Sequence, residues 1–485
     1  MALLFNLCPW FMPASPDFST ALPIDDVIPD IQAALNQAHE LVLEAPPGAG
    51  KTTRVPLALL NEPWLRNKKI IMLEPRRLAA KSSAERMAEQ LGESAGQTVG
   101  FRIRMENKVS SNTRIEVVTE GILTRQLQQD PSLADVGLVI FDEFHERNLH
   151  ADLALALLLQ GRSLFRDDDP LRIIVMSATL DGAQVAKLLE VGSQPTNVIS
   201  SLGRTYPVTI HYGDAFTFGE RIEPRVIYTV KQAVSEQEGS VLVFLPGQRE
   251  IRRVAADLQA VYKNQPEIHI TPLYGDLDFA AQRRAIEPAP KGVRKIVLAT
   301  SIAETSITID GVTVVIDAGL QREAVFDPRT AMTRLQTKRC SRAAADQRAG
   351  RAGRTAPGVC YRLWSESQQQ QLAAFAQPEI LNADLSALAL QLLQWGVDSP
   401  TDLQWLDPPP NAAYTQACEL LQALEAVEQL EPQPDKSGWQ ITPHGEAISS
   451  LGANPRLAHM MIRGAQLGVA EVACNIAALL TERDP

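Results

Sequence analysis

At 485 residues the chain is too long for a single hydrophobic core, and its length predicts about three domains. With 45% hydrophobic and 21% charged residues it has an ordinary globular composition; five cysteines (Cys8, Cys340, Cys360, Cys418, Cys474) without a CxxC pair exclude a zinc-finger pattern and a disulfide framework, and fit a reducing compartment. The net charge of −11 excludes a uniformly basic nucleic-acid binder but not a local basic track, because net charge governs only the far field.

The N-terminus is apolar, MALLFNLCPWFMPA, yet the first Lys or Arg is Lys51, so the basic start of a secretory signal is missing. Pro9, Pro13 and Pro16 break any helix there, and residues 1–20 read as an irregular extension. No apolar run is long enough to cross a bilayer. A cytoplasmic protein that works without a membrane is expected.

Short apolar runs then alternate with helical-period segments, the pattern of parallel-sheet βαβ units. LVLEA (41–45), IIMLE (70–74), IEVVT (115–119), GLVIFD (137–142) and RIIVM (172–176) form a first series. VLVFL (241–245), IHITPL (268–273), KIVLA (295–299), TVVID (313–317) and VCYRL (359–363) form a second. Near-continuous hydrophobicity marks strands buried on both faces. Two successive α/β lobes, 21–200 and 201–364, joined near SSLGRTYPV (200–208), are the economical arrangement. Beyond Leu363 come Gln-, Leu- and Ala-rich helical patterns, an Asp-Pro-Pro-Pro helix start at 407–410, a turn at 434–438 and the short strand WQIT (439–442). They predict a small winged-helix-like domain over 365–446, followed by one or two helices in 447–485.

The first strand runs straight into PPGAGKTT, giving strand, Gly-rich loop and helix. That context lets the backbone of Gly48, Ala49 and Gly50 and a helix N-terminus wrap a polyphosphate. Lys51 then reaches the β and γ phosphates, the Thr52 hydroxyl ligates Mg²⁺, and Thr53 joins them in binding the nucleotide. Ala45 stands where the usual pattern has its first glycine, and a chance Gly-rich turn is the bland alternative. LVIFD ends in Asp142-Glu143-Phe144-His145, an apolar strand delivering two carboxylates. One suits holding the metal and the next polarising an attacking water; His145 alone reads as a structural histidine. Ser177-Ala178-Thr179 closes a third strand, at the edge where doubly wound sheets place ligands. Residues 321–354 carry nine Lys/Arg against three Asp/Glu, which is either a local basic track or a solvated surface.

The order of APPGAGKTT (45–53), EPRRLAAKSSAERMA (74–88), VTEGIL (118–123), DEFH (142–145), SAT (177–179), FLPG (244–247), ATSIAETSITIDG (299–311) and QRAGRAGR (347–354) resembles superfamily 2 helicases of the DEAH-box group, and within it the bacterial HrpB-type ATP-dependent helicases. The resemblance implies two tandem RecA-like P-loop lobes, a winged-helix-like domain and the opening of a helical ratchet-like domain. It implies ATP or another NTP, and Mg²⁺, as cofactors. Its partner would be single-stranded RNA or DNA, bound by a monomer.

Carried over by matching position, Lys51 and Thr52 become phosphate and Mg²⁺ ligands, Asp142 the second metal anchor, and Glu143 the general base. Gln347 positions the lytic water, and Arg351 and Arg354 are arginine fingers. His145, Ser177 and Thr179 couple the nucleotide and nucleic-acid sites. Arg76, Arg77, Thr119, Gly247 and Thr305 match backbone contacts to nucleic acid, Arg86 a base-stacking arginine and Asp310 a ribose contact. Ile286 stands where the family has a stacking aromatic, and no upstream glutamine motif reads adenine, so loose nucleotide selectivity is expected. Residues 321–340 fall where the family carries a strand-separating β-hairpin. Relatives continue past the ANPRLAHMM segment (453–461), so part of the channel roof is expected to be missing. Movement along RNA in the 3′-to-5′ direction with unwinding is the implied activity. A remodeller or clamp that hydrolyses without unwinding, and a non-catalytic scaffold, are the alternatives.

Overall fold

The computed structural model describes residues 16–178, 182–192, 195–203, 206–304, 309–330, 332–430 and 438–481. The first series of apolar runs builds a sheet from β1 (Glu40–Glu44), β2 (Lys69–Glu74), β3 (Val99–Ile103), β4 (Glu106–Lys108), β5 (Ile115–Thr119), β6 (Val136–Phe141), β7 (Arg172–Ser177) and β8 (Asn197–Ser200). Its order is β4-β3-β5-β2-β6-β7-β1-β8, parallel throughout except for β4, which folds back on β3. The second series supplies β9 (Val208–Tyr212), β10 (Ser240–Phe244), β11 (Ile268–Leu273), β12 (Arg294–Ala299) and β13 (Val312–Asp317). A hairpin of β14 (Leu320–Asp327) and β15 (Met332–Arg339) follows, and then β16 (Gly358–Arg362). The second sheet runs β11-β12-β10-β13-β16-β9, all parallel. These are the two RecA-like lobes, and the chain passes between their sheets from Ser200 to Val208.

All ten strands read from those two series are present within a residue of their expected ends. The sequence pattern missed β3, β4, β8 and β9. Gly100 and Arg102 interrupt the apolar run of β3, while β4, β8 and β9 lie at sheet edges where one face meets water. The hairpin over 320–339 lies where the family resemblance placed one.

Helices cover both faces of each sheet. Leu41, Leu43, Ile70, Met72 and Ile140 face one cluster. Val42, Ile71, Val139 and Phe141 face the other, which contains the helix Leu149–Phe165. That helix is apolar nearly all round, because a second layer covers its outer side. The layer comes from the C-terminal segment: Leu388, Leu392, Leu393, Cys418 and Leu421, on helices Ser386–Trp395 and Asn411–Ala423, belong to the same cluster. A short ladder of β17 (Val427–Gln429) and β18 (Trp439–Ile441) and the helix Pro443–Ser450 complete this segment. The turn expected at 434–438 lies, apart from Gly438, outside the described residues. Across the interlobe gap, Leu78 of the helix Arg77–Gln90 is buried among Phe244, Leu273 and Val315 of the second lobe.

Candidate active site

Apart from Arg86, the described motif residues of the first lobe sit at or just beyond the carboxyl end of a strand, because parallel strands deliver their following loops to one edge. β1 leads into the phosphate loop, where Gly48 (φ 89°) and Gly50 (φ 96°) take left-handed backbone that favours glycine. Gly50 also lies under Leu22 of the N-terminal segment, where a Cβ would come within 2.6 Å of Cδ1. The helix Lys51–Leu59 starts at the loop, so its first N–H groups and its positive end face whatever the loop holds. Thr53 lies in its first turn, and Ala49 is buried.

β6, two strands away, brings up the carboxylates. Lys51 Nζ is 3.1 Å from Glu143 Oε1 and 3.8 Å from Asp142 Oδ1, and the Thr52 hydroxyl donates to Asp142 Oδ2 at 2.5 Å. Burial would raise the Glu143 carboxyl, but the Lys51 ammonium overrides it and holds Glu143 down at about 2. Asp142 goes the other way: burial outweighs Lys51 and lifts it to about 6. Two adjacent carboxyls thus differ in basicity by their surroundings alone. Thr52 and Asp142 form a hard-oxygen pair, the kind of set that holds Mg²⁺ when phosphate and water complete the shell. The residues present therefore fit the Mg²⁺ ion that the sequence resemblance implies.

The second lobe closes this site. The segment Gln347–Arg354 spans the end of the helix Arg342–Gly350 and a short 3-10 turn, Arg351–Gly353. Gln347 Nε2 lies 2.9 Å from His145 Nε2. His145 Nδ1 accepts from the Ala178 N–H at 3.4 Å and is 3.5 Å from Glu143 Oε2. Burial keeps His145 below its usual pKa and therefore neutral. Arg354 packs over the phosphate loop, its Nε 3.5 Å from where a Cβ on Gly48 would stand. Arg351 donates to the Glu304 carbonyl at 3.0 Å through Nε. Burial, then repulsion from Arg354, drives Arg351 well below its ordinary range, and burial lowers Arg354 to about 10. Two guanidiniums whose charge is disfavoured where they stand are a place that an anion would relieve.

The remaining sequence candidates divide. Arg86 is exposed on the helix Arg77–Gln90, and Asp310 is exposed in the second lobe, where its charge acts on Arg354. Ile286 is half-buried and packs on the second lobe's core. Arg76 reaches across the lobes, donating to the Ser301 carbonyl at 2.8 Å and pairing with Glu146 at 3.1 Å. Arg77 is exposed, and Thr119 stands at the N-cap position of the helix Glu120–Gln129 without a side-chain capping bond. Gly247 starts the helix Gln248–Val261 beneath Arg322 of the hairpin. Ser177 is buried at the end of β7. Thr179 and Thr305 lie outside the described residues. The basic run is not one exposed track: Arg348 and Arg351 are buried, and Arg322, Arg329 and Lys338 pair with Glu250, Asp327 and Glu323. Asp327 and Glu323 belong to the run itself, whereas Glu250 comes from the helix Gln248–Val261 and could not be read from it.

Sequence reasoning also passed over Glu74. It closes β2 opposite Thr119 of β5, is fully buried, and neither oxygen has a hydrogen-bond partner among the described residues. Burial, then Asp142 and Glu143, pushes it well above the ordinary carboxylate range. A carboxylate ending an apolar strand was the available signal, the same one that marks Asp142.

A phosphate loop and paired carboxylates on one parallel-sheet lobe, completed by glutamine and arginines from a second, define a two-lobed P-loop NTPase. Residues 26–188 match the DEAD/DEAH box helicase family and 225–356 the helicase conserved C-terminal domain. The chain belongs to the DEAH-type helicases. It is 46% identical to the ATP-dependent RNA helicase HrpB of Escherichia coli, over 96% of this chain and 55% of that protein. It is 36% identical to the pre-mRNA-splicing factor ATP-dependent RNA helicase prp22 of Schizosaccharomyces pombe, over 95% of this chain and 38% of that one. A crystal structure of Escherichia coli HrpB superposes with a TM-score of 0.86, covering 96% of this chain and 57% of that chain. The chain thus spans about half the length, or less, of these relatives.

Proposed function

We propose that this chain hydrolyses ATP, and other NTPs, between its two lobes and couples each cycle to 3′-to-5′ movement on single-stranded RNA. The observation that carries the reading is the pairing of the two lobes over one site: Gln347 on His145 beside Glu143, and Arg354 over Gly48.

In this reading the phosphates lie along the loop Gly48–Gly50 and Lys51. Thr52 and Asp142 would hold Mg²⁺, whose charge would offset that on the transferred phosphoryl group. Glu143, ionised at about 2, accepts the proton of the attacking water, and Gln347 orients that water. Arg351 and Arg354 meet the developing charge from the facing lobe, so hydrolysis depends on the lobes being together. Arg77, Thr119, Gly247 and Thr305 are the proposed backbone contacts to RNA, with Arg76 joining them once the lobes part; Ser177 and Thr179 link the sites. Backbone contacts position a strand without reading its sequence.

Arg86 and Asp310 are assigned to the base and ribose. An aliphatic Ile286 in place of a ring leaves the base one stacking face, which supports weak discrimination among NTPs. The protein is proposed to act as a monomer in the cytoplasm, a state that light scattering would test.

The deciding experiment measures NTP hydrolysis with and without single-stranded RNA or matched DNA, and strand displacement on a 3′-tailed duplex. RNA-stimulated turnover with displacement of the 3′-tailed strand is expected. Hydrolysis without displacement would replace the helicase by a remodeller or clamp, and no hydrolysis would overturn the reading. Comparable kcat/KM for ATP, GTP and CTP is expected, and a strict ATP requirement would remove the selectivity claim.

A further inference from the structure

The turn after Glu143 is gripped from every side. Its four consecutive residues each reach a different part of the molecule. His145 meets Gln347 of the second lobe, and Glu146 meets Arg76 at 3.1 Å. Asn148 donates to Glu120, the residue after Thr119. Arg147 reaches the C-terminal segment.

Arg147 is a buried hub. Its Nε and Nη2 donate to Asp152 at 3.1 and 3.2 Å, and Nη2 lies 2.8 Å from Asp407. The Arg147 carbonyl accepts from the Glu379 N–H at 3.0 Å, and the Glu379 carboxylate accepts from the Leu149 N–H at 2.9 Å, the first of the helix Leu149–Phe165. The turn therefore has left-handed backbone at both ends, φ 50° at Glu143 and φ 48° at Arg147, with the C-terminal segment fixing the second. Non-glycine residues hold such backbone only where the surroundings over-determine it. Phe144 pins the middle, buried in the cluster shared by β6 and the C-terminal helices.

Resting on the hydrolase reading above, we propose that Arg147 and Asp407 are positioning residues for hydrolysis: through them the segment beyond the second lobe sets the pose of Glu143. Neither touches the nucleotide site. Asp407 grips Arg147, Arg147 fixes the end of the turn, and the turn fixes the base that starts it. The segment beyond the second lobe then becomes part of what makes the first lobe competent.

Asp407→Asn is the cleanest probe, because Arg147 keeps Asp152 and the Asp407 side chain is 41% exposed. A base displaced by a fraction of an ångström should cost roughly tenfold in kcat. The nucleotide KM and the thermal midpoint should stay at wild-type values, and Asp407→Glu should restore part of the loss. The same substitution in a Glu143→Gln background should cost nothing further, since no base remains to misplace. Equal losses in both backgrounds, or wild-type kcat in Asp407→Asn, would overturn the proposal. Should Asp407→Asn lose its thermal midpoint, Arg147→Lys carries the same comparison. If the unaltered protein fails to hydrolyse NTP, the hydrolase reading itself has fallen, an outcome visible before any variant is made.

Discussion

The guanidinium of Arg354 rests on Gly48, the second lobe's last motif arginine on the first lobe's phosphate loop. The contact distance of 3.5 Å to a Cβ built on that glycine leaves ordinary van der Waals spacing and no more. Arg351 lies beside it, buried within electrostatic reach of Glu143. Each should act as an arginine finger. Arg354→Ala and Arg351→Ala are expected to lower kcat by roughly 10³-fold or more while leaving nucleotide affinity within severalfold. Single-turnover hydrolysis against fluorescent-nucleotide binding separates the two quantities, and a loss under tenfold would reduce either residue to a structural part.

Glu143→Gln removes the base and little else, because the amide still fits beside Lys51. Turnover should drop roughly 10²–10⁴-fold with nucleotide binding intact. Near-normal turnover would move the base elsewhere, with Glu74 the next carboxyl to test.

Asp142 supplies a pH signature. Its carboxyl titrates at about 6 and must be ionised to hold Mg²⁺. The sign is that of competition: as pH falls, protons displace the metal. Apparent Mg²⁺ affinity should be flat above neutrality and weaken by about tenfold per pH unit below about 6. Glu143, down at about 2, stays ionised across that window and contributes no acid limb. Mg²⁺ titrations of nucleotide binding at a series of pH values test this, and a profile flat down to pH ~5 would refute it.

Arg348 is a matter of stability. It is 1% exposed and spans Glu304 at 3.2 Å and Asp317 at 2.9 Å, with its charge favoured by both. Arg348→Met would leave two buried carboxylates without their cation, a loss of about 3–5 kcal/mol. Urea unfolding measures it. Converting Glu304 to Gln in the same chain should recover part of the loss, because one orphaned charge is then gone.

Much of this architecture could be read from residues. Continuous apolar runs such as LVIFD and KIVLA marked strands covered on both faces, and each carboxyl end carried a polar motif. What stayed hidden was tertiary pairing. Nothing in QRAGRAGR says that Arg348 turns inward to Asp317 while Arg354 turns outward to Gly48. Arg76 looked like a nucleic-acid contact and is engaged by Glu146 and the Ser301 carbonyl. Arg147 and Asp407 are 260 positions apart in the chain, and their 2.8 Å contact left no periodic trace. The edge strand β9, exposed through its middle, lacked the doubly buried pattern that revealed its neighbours.

The apolar cluster running from Phe141 through the helix Leu149–Phe165 into Leu388, Cys418 and Leu421 has a practical outcome for dissecting the molecule. A fragment ending at Leu363 would bare the outer side of that helix to water and should aggregate on expression, whereas among the described residues the second lobe's apolar clusters draw only Leu78 and Leu372 from outside residues 208–364. Excised alone, that middle portion is the piece expected to survive as an autonomous fold.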